Sequence, residues 1–361
     1  MQIIGQAISI PERRVSNREI TEEVRHQSSR HLPANVLDHV IAGIEEGFSR
    51  AGCGTRSRRG NRASPLEFIR EAFDRSLAFA NANRRHVSAV IYCSIHRSHW
   101  EPSSASILCK DLGLRPKRAF DVLDACMGWA TAMETARGLF ATQSHDIVAI
   151  IASEFAHEVG GAIYPSCYTF EHESELAWKF AGLTMGEAAS VTLISHRDSD
   201  PEWCLLREEQ PELAHLSLVP IRGAADANPL TGEAWIAEGV GGFIADATGL
   251  MAGGYRPSQK ILQDYNDRYG IPDLIIPHSV STALPRRLAA QFGLDNSVFT
   301  TFSEFGNLAT ASIPVNMHSA ICRERFMETT RSVAWIASAG MKFAACDLPV
   351  SSELFKKIVG R

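Results

Sequence analysis

The sequence predicts a layered α/β protein made of two related halves, and three observations carry that expectation. Strand-like and helix-like segments alternate along most of the chain, which favours helices packed on sheets over an all-helical or all-β arrangement. The segment Asp146-Ile147-Val148-Ala149-Ile150-Ile151-Ala152 is apolar on both faces, as a strand covered from both sides must be. The strand-to-helix grammar of the first part recurs in the last third, which suggests a duplication meeting near residues 185–215. We divide the chain accordingly into halves 1–197 and 198–361. Its 361 residues, 45% of them hydrophobic, suffice for a large core.

Residues 2–9 read as the opening strand, ended at Pro11 because proline fixes its own torsion and restricts the residue before it. Ser16 is a helix cap, and Val36, Val40, Ile41, Ile44 and Phe48 form one apolar stripe over 36–48. A further helical pattern runs from Leu66 to Ala80, followed by a strand over 87–93, a loop over 95–103 and a helix over 105–112. The stretch 118–126 is a strand ending in Cys126, and a helix follows over 130–140. After the strand 146–152, residues 156–187 look like a surface excursion over a site, and 188–195 resumes as a strand. Residues 198–235 are polar and unassigned, and 236–268 is helix-like but interrupted by Gly241-Gly242 and Gly253-Gly254. The strand 273–277 leads to His278 and a helix over 281–292. Asn296 to Thr301 leads through Gly306-Asn307 into another helix. Strands 332–337 and 341–347, joined around Gly340, close the chain.

Composition excludes several classes. A net charge of −5, from 36 basic and 41 acidic side chains, implies no broad surface for nucleic acid. The cluster Arg50, Arg56, Arg58 and Arg59 is read as a solvated basic turn, with phosphate contact as the alternative. The eight cysteines show no paired spacing and suit a reducing compartment. The opening residues lack a signal-like pattern and no stretch is apolar enough to span a bilayer, so a soluble cytoplasmic protein without membrane contact is expected. His157-Glu158 and His172-Glu173 define no metal centre, and none is expected.

Three strand-end residues are candidates for chemistry. Cys126 sits where a strand turns into a helix, whose unpaired N–H groups and positive end favour thiolate; a buried inert cysteine is the competing reading. His278 follows a buried strand, where it can serve catalysis or only satisfy a core contact. Asn307 is a plausible helix N-cap, a role that leaves its coincidence with the other two elbows unexplained.

The ordered pieces Asp121-Val122-Leu123-Asp124-Ala125-Cys126, Ile276-Pro277-His278-Ser279 and Phe305-Gly306-Asn307 with Ala311-Ser312-Ile313-Pro314 resemble the β-ketoacyl-acyl-carrier-protein synthase III branch of the thiolase superfamily. The resemblance spans nearly the whole chain. It implies a duplicated, five-layered α-β-α-β-α thiolase-like fold and a homodimer. It also implies that Cys126 takes an acyl group from a thioester, and that His278 and Asn307 stabilise the enolate of a malonyl-type or second acyl-thioester acceptor. The backbone N–H groups of Cys126 and Gly340 would form the oxyanion site, although Ser338 and Ala339 stand where the family has more glycine. Glu101 resembles a glutamate that enters the neighbouring subunit's site and removes an α-proton, with a solvated turn carboxylate as the alternative. Trp129 would meet substrate or pack the core, and Arg286 and Arg287 would greet a phosphopantetheine carrier. Acyl-CoA and acyl-carrier protein are the implied partners, with no tightly bound cofactor. Fatty-acid, polyketide or other specialised-metabolite synthesis is the implied setting. Acyl transfer to an alcohol or amine, and an inactive partner subunit of another ketosynthase, are the alternatives.

Overall fold

The computed structural model describes residues 1–361 except 61–62, 98, 100, 143–144, 158–162, 201, 220–241, 329 and 361. Its strands are β1 (Gln2–Ser9), β2 (Arg14–Ser16), β3 (Thr55–Ser57), β4 (Val87–Cys93), β5 (Arg118–Val122), β6 (Ile147–Glu154) and β7 (Ala188–Ser195) in the first half. In the second half they are β8 (Leu205–Glu209), β9 (Ser217–Leu218), β10 (Ile244–Ala245), β11 (Leu274–Pro277), β12 (Ser332–Ser338) and β13 (Lys342–Asp347).

Two sheets repeat one plan. The first has the order β1-β7-β6-β4-β5. From β5 inward its neighbours pair parallel, parallel, antiparallel and antiparallel. The second has the order β11-β12-β13-β8, and beyond β11 the segment after Asn296 adds a parallel bridge from Val298 to Ile275. Read from Val298, its neighbours pair in the same sequence of directions. The recurrence in the amino-acid pattern is therefore a recurrence of topology, with β4 matching β11, β6 matching β12 and the segment around Val298 standing where β5 stands.

Alternation along the strands builds the layers. Ala89, Ile91 and Cys93 of β4 point to a central core shared with Val148, Ile150 and Ala152 of β6, and with Ile276, Ala334 and Ile336 of the second sheet. The helices Gly128–Thr142 and Ser312–Cys322 fill that central layer. Residues Ser312 to Ile321 are all buried, as a helix lying between two sheets requires. On the outer face of the first sheet, Val90 and Tyr92 pack under helices Pro65–Phe79 and Ser104–Asp111. On the outer face of the second, Ile275, Val333 and Trp335 pack under helices Ala247–Tyr269 and Ala283–Ala290. These are the five layers of a thiolase-like α-β-α-β-α fold.

Part of the excursion after β6 is not a surface feature. Ile163, Cys167, Tyr168, Phe170 and Leu183 are buried in a separate core with helices Asn17–Ser28 and Ala34–Ala51, and Cys126 packs against that core. The segment thus covers the Cys126 elbow by joining a packed layer. Arg56 is likewise no solvated turn: it is fully buried, donates from Nε to the Leu183 carbonyl at 2.8 Å, and stacks 4.1 Å over the Phe48 ring.

Candidate active site

The polypeptide leaves β5 at Val122 and turns through Asp124, whose carboxylate is held by Lys342 Nζ at 2.7 Å and Arg207 Nη2 at 3.3 Å. A 3₁₀ turn, Ala125–Met127, then delivers Cys126 before helix Gly128–Thr142 begins. Ala125 has φ +44°, a left-handed conformation that costs an L-residue about 1–2 kcal/mol. The second half has the same elbow: Ala309 has φ +41°, the 3₁₀ turn is Ala309–Ala311, and helix Ser312–Cys322 follows. By that match Thr310 occupies the place of Cys126.

His278 leaves β11 as expected, and its backbone N–H donates to the Trp335 carbonyl at 2.9 Å. Its Nδ1 lies 2.7 Å from the Ala337 carbonyl, which fixes the proton on Nδ1 in the neutral ring and turns Nε2 toward Asn307 Oδ1 at 3.3 Å. Burial holds the His278 pKa below its ordinary value, against hydrogen bonds to Ala337 and Asn307 that favour the charged ring.

Asn307 is fixed by a crossing of the two halves. Its N–H donates to Thr184 O at 2.8 Å, and its carbonyl accepts from Gly186 N–H at 2.9 Å. The crossing is too close for side chains: a Cβ on Gly186 would lie 1.9 Å from Phe305 O, and one on Gly306, at φ +78°, would lie 2.4 Å from Thr184 O. Asn307 Oδ1 accepts from Ala309 N–H at 2.9 Å, so the capping role coexists with the approach to His278.

The end of β12 ties these groups together. Ala337 holds His278, and the next residue, Ser338, braces the Cys126 elbow, its Oγ accepting from Met127 N–H at 3.1 Å. Gly340, at φ +80°, makes the turn between β12 and β13. Cys126 does not rest as the thiolate that its place at a helix start suggested. Burial, then the nearby Glu154 carboxyl, push its thiol up to about 12, and the hydrogen bonds from Ala339, its own N–H and Ser338 offset only part of that.

Glu154 ends β6 and is completely buried. It accepts from Thr310 Oγ1 at 2.5 Å, Thr310 N–H at 3.3 Å, Ile95 N–H at 3.1 Å and Ser94 Oγ at 3.2 Å. Desolvation nevertheless raises its pKa to about 7. Sequence reading missed Glu154 and the contact made by Ser338. The available signals were a carboxylate at the end of an otherwise apolar strand and the hydroxyl in Ser338-Ala339-Gly340.

The remaining candidates lie apart. Trp129 is fully covered by protein and donates from Nε1 to Thr192 Oγ1 at 3.1 Å, so it packs the core and does not face substrate. Arg286 and Arg287 are exposed on helix Ala283–Ala290. Glu101 is exposed on the loop after β4. Glu158 lies outside the described residues, and among the described residues no three metal-ligating side chains converge. None of the described helices is long and apolar enough to cross a membrane.

Residues 271–348 match the sequence model for the C-terminal region of 3-oxoacyl-[acyl-carrier-protein] synthase III. An acyl-CoA:acyl-CoA alkyltransferase of Xanthomonas campestris is 24% identical over 252 residues, covering 68% of this chain and 70% of that protein. A β-ketoacyl-[acyl-carrier-protein] synthase III of Neisseria gonorrhoeae is 23% identical over 327 residues, covering 89% and 90%. Among solved structures, a variant of OleA from Xanthomonas campestris superposes with a TM-score of 0.78 at 20% identity, covering 96% of this chain and 97% of that one.

Proposed function

We propose, from the premise that this chain is a β-ketoacyl synthase III-like protein of the thiolase superfamily, that it joins two acyl thioesters through a Cys126 acyl-enzyme. The observation that carries this reading is the shared β12 terminus, which holds His278 through the Ala337 carbonyl and the Cys126 elbow through the Ser338 hydroxyl that accepts from Met127 N–H. In the first step the Cys126 thiol proton passes to His278 Nε2, where Asn307 Oδ1 stands ready to accept it. Sγ bonds to the acyl carbon, the bond from that carbon to the CoA or carrier sulfur breaks, and the leaving thiolate takes a proton from solvent, so that His278 keeps its Nε2 proton for the second step. The N–H groups of Cys126 and Gly340 serve the carbonyl oxygen while it bears negative charge. Dividing the transfer in this way replaces one high barrier with two lower ones.

In the second step an acceptor thioester forms a carbanion, by loss of carbon dioxide from a malonyl-type extender or of an α-proton from a second acyl chain. His278 and the Asn307 amide nitrogen donate to its enolate oxygen, a charge-matched effect worth several kcal/mol. The carbanion attacks the acyl carbon, and Sγ leaves and takes its proton back from His278 Nε2. The Xanthomonas relative, whose name describes joining two acyl-CoAs, favours the α-proton route, with Glu101 of the neighbouring subunit as the base. Arg286 and Arg287 meet the phosphates of CoA or of the carrier's phosphopantetheine. The fatty-acid-type setting follows from the same relatives.

Intact-mass measurement after exposure to acyl-CoAs and acyl-carrier proteins tests the first step. An acyl adduct is expected on the wild type and none on Cys126→Ala. Paired acyl-CoAs without malonyl donor then test the acceptor: β-keto product is expected, with a drop of at least about 10²-fold in Glu101→Gln. Product that survives unchanged in Glu101→Gln removes that residue from the chemistry. Ester or amide products without chain extension point instead to acyl transfer onto an alcohol or amine, and a folded protein that takes up no acyl group points to an inactive partner subunit.

A further inference from the structure

The parallel ladder between β11 and the segment around Val298 breaks off where its two sides hand over to His278 and Asn307. Val298 pairs with Ile275, and Phe299 N–H donates to the Ile275 carbonyl at 3.0 Å. The next rung would need an N–H from residue 277, and Pro277 has none. The rung after it would run from Thr301 N–H to the Pro277 carbonyl. Both of its ends are instead taken by the side chain of Asn316. Its Oδ1 accepts from Thr301 N–H at 2.9 Å and from Thr301 Oγ1 at 2.7 Å. Its Nδ2 donates to Pro277 O at 3.1 Å, beside a longer contact from Ser279 Oγ at 3.4 Å. We propose that Asn316 is a positioning residue for the enolate-binding pair: its amide, inserted into the ladder as a rung, holds the strand that ends before His278 at a set distance from the helix that leads to Asn307.

Asn316 lies midway along helix Ser312–Cys322, in the central layer, and is itself buried. A primary amide there costs free energy unless its polar atoms are paired, and the two ends of the interrupted rung pair them. An amide that replaces a direct N–H to carbonyl bond necessarily spaces the two groups farther apart. Those groups belong to segments with different supports. His278 hangs on β12, through the carbonyls of Trp335 and Ala337. Thr301 opens helix Phe302–Phe305, which is tied to the first half by Gly54 N–H on Ser303 O at 3.1 Å and Thr55 Oγ1 on Glu304 O at 2.6 Å. Asn316 joins the two supports, so its length enters the 3.3 Å separation of His278 Nε2 and Asn307 Oδ1. Donors that must converge on one oxygen lose about 10²-fold in rate for about 1 Å of misplacement.

This inference rests on the acyl-enzyme reading for its catalytic meaning, but its first test uses no substrate. In a crystal structure of full-length Asn316→Ala, Thr301 N–H and Pro277 O are expected to close to a direct bond of about 2.9 Å, with His278 and Asn307 shifted against each other by about 0.5 Å or more. Condensation is then expected to fall about 10- to 10²-fold. Acyl uptake by Cys126, read by intact mass, should stay within about threefold, because it needs only the imidazole that β12 still holds. In an Asn307→Ala background the same substitution should add less than about twofold to the loss of condensation, since the group it positions is gone. A role in stability alone would cost the same in both backgrounds. If Asn316→Ala does not fold, Asn316→Ser, too short to span the gap, is read by the same criteria. Strand ends that keep their wild-type separation in the folded variant overturn the proposal, as do undiminished condensation or equal losses in the two backgrounds. If the wild type takes up no acyl group yet the strand ends close in the variant, the acyl-enzyme reading fails while the spacing role of the amide stands.

Discussion

A thiol pushed up to about 12 is a poor nucleophile at neutral pH unless a base removes its proton during attack. His278 can be that base because burial holds its pKa below 6.5 and its Nδ1 proton is committed to Ala337. A pH profile follows with a definite sign. As pH falls through the lowered His278 pKa, Nε2 becomes protonated and stops accepting, so the rate of acyl-adduct formation falls at a more acid pH than an ordinary imidazole would set and is flat above it. In His278→Ala the plateau disappears, and the residual rate climbs about tenfold per pH unit through pH 9, tracking the thiolate fraction alone. Rapid-quench intact-mass measurements on both proteins check this, and a plateau surviving in His278→Ala excludes the base. Cys126 and His278 are legible because each follows a strand, and Asn307 because it follows the permissive Gly306 turn after helix Phe302–Phe305. The state of the sulfur was not legible, because the opposing carboxyl, Glu154, comes from a strand that is distant in sequence.

Among the elements, the crossing of Met185–Glu187 with Phe305–Asn307 sets the position of the amide. Backbone bonds of 2.8 and 2.9 Å and a Cβ-to-carbonyl distance of 1.9 Å at Gly186 leave no slack. Gly186→Ala is expected to destabilise the protein by about 1–3 kcal/mol by forcing these backbones apart. Because the displaced group is Asn307, carbon–carbon bond formation should fall further than Cys126 acylation. Denaturant midpoints and separate assays of the two steps check this, and equal losses in both steps would show that the crossing serves stability alone. Strand and helix positions were readable from periodicity, and β7 was delimited to the residue. The excursion after β6 was misread because its short 3₁₀ segments lack a long periodic stripe, although its apolar residues are buried. Trp129 shows the complementary limit: a large aromatic beside a nucleophile suits a tunnel or a core equally in sequence, and its bond to Thr192 assigns it to the core.

At the scale of the whole molecule, the first sheet ends at β5, whose outer edge has no neighbouring strand among the described residues. Phe120 and Val122 on that strand are only half-buried, Leu123 is 64% exposed, and Ile107 on the adjacent helix is 41% exposed. Pairing of two β5 edges across a two-fold axis would cover this surface and bring the Glu101 loops toward each other's elbows. Light scattering is expected to give twice the chain mass, and Leu123→Lys to give the monomer with loss of condensation; a wild-type monomer that turns over would refute that arrangement. The duplication was visible in sequence only as a recurring grammar. Topology makes it explicit, because the sequence of pairing directions is preserved between the two sheets.

The reciprocal bracing by Glu154 and Ser338 means that chemical competence belongs to the seam. Either lobe produced alone would keep its own bend but lose the contact that disciplines it. An insertion that slid one lobe against the other would detune both bends together. Each bend is thereby held by a residue far away along the polymer, Met127 by Ser338 and Thr310 by Glu154.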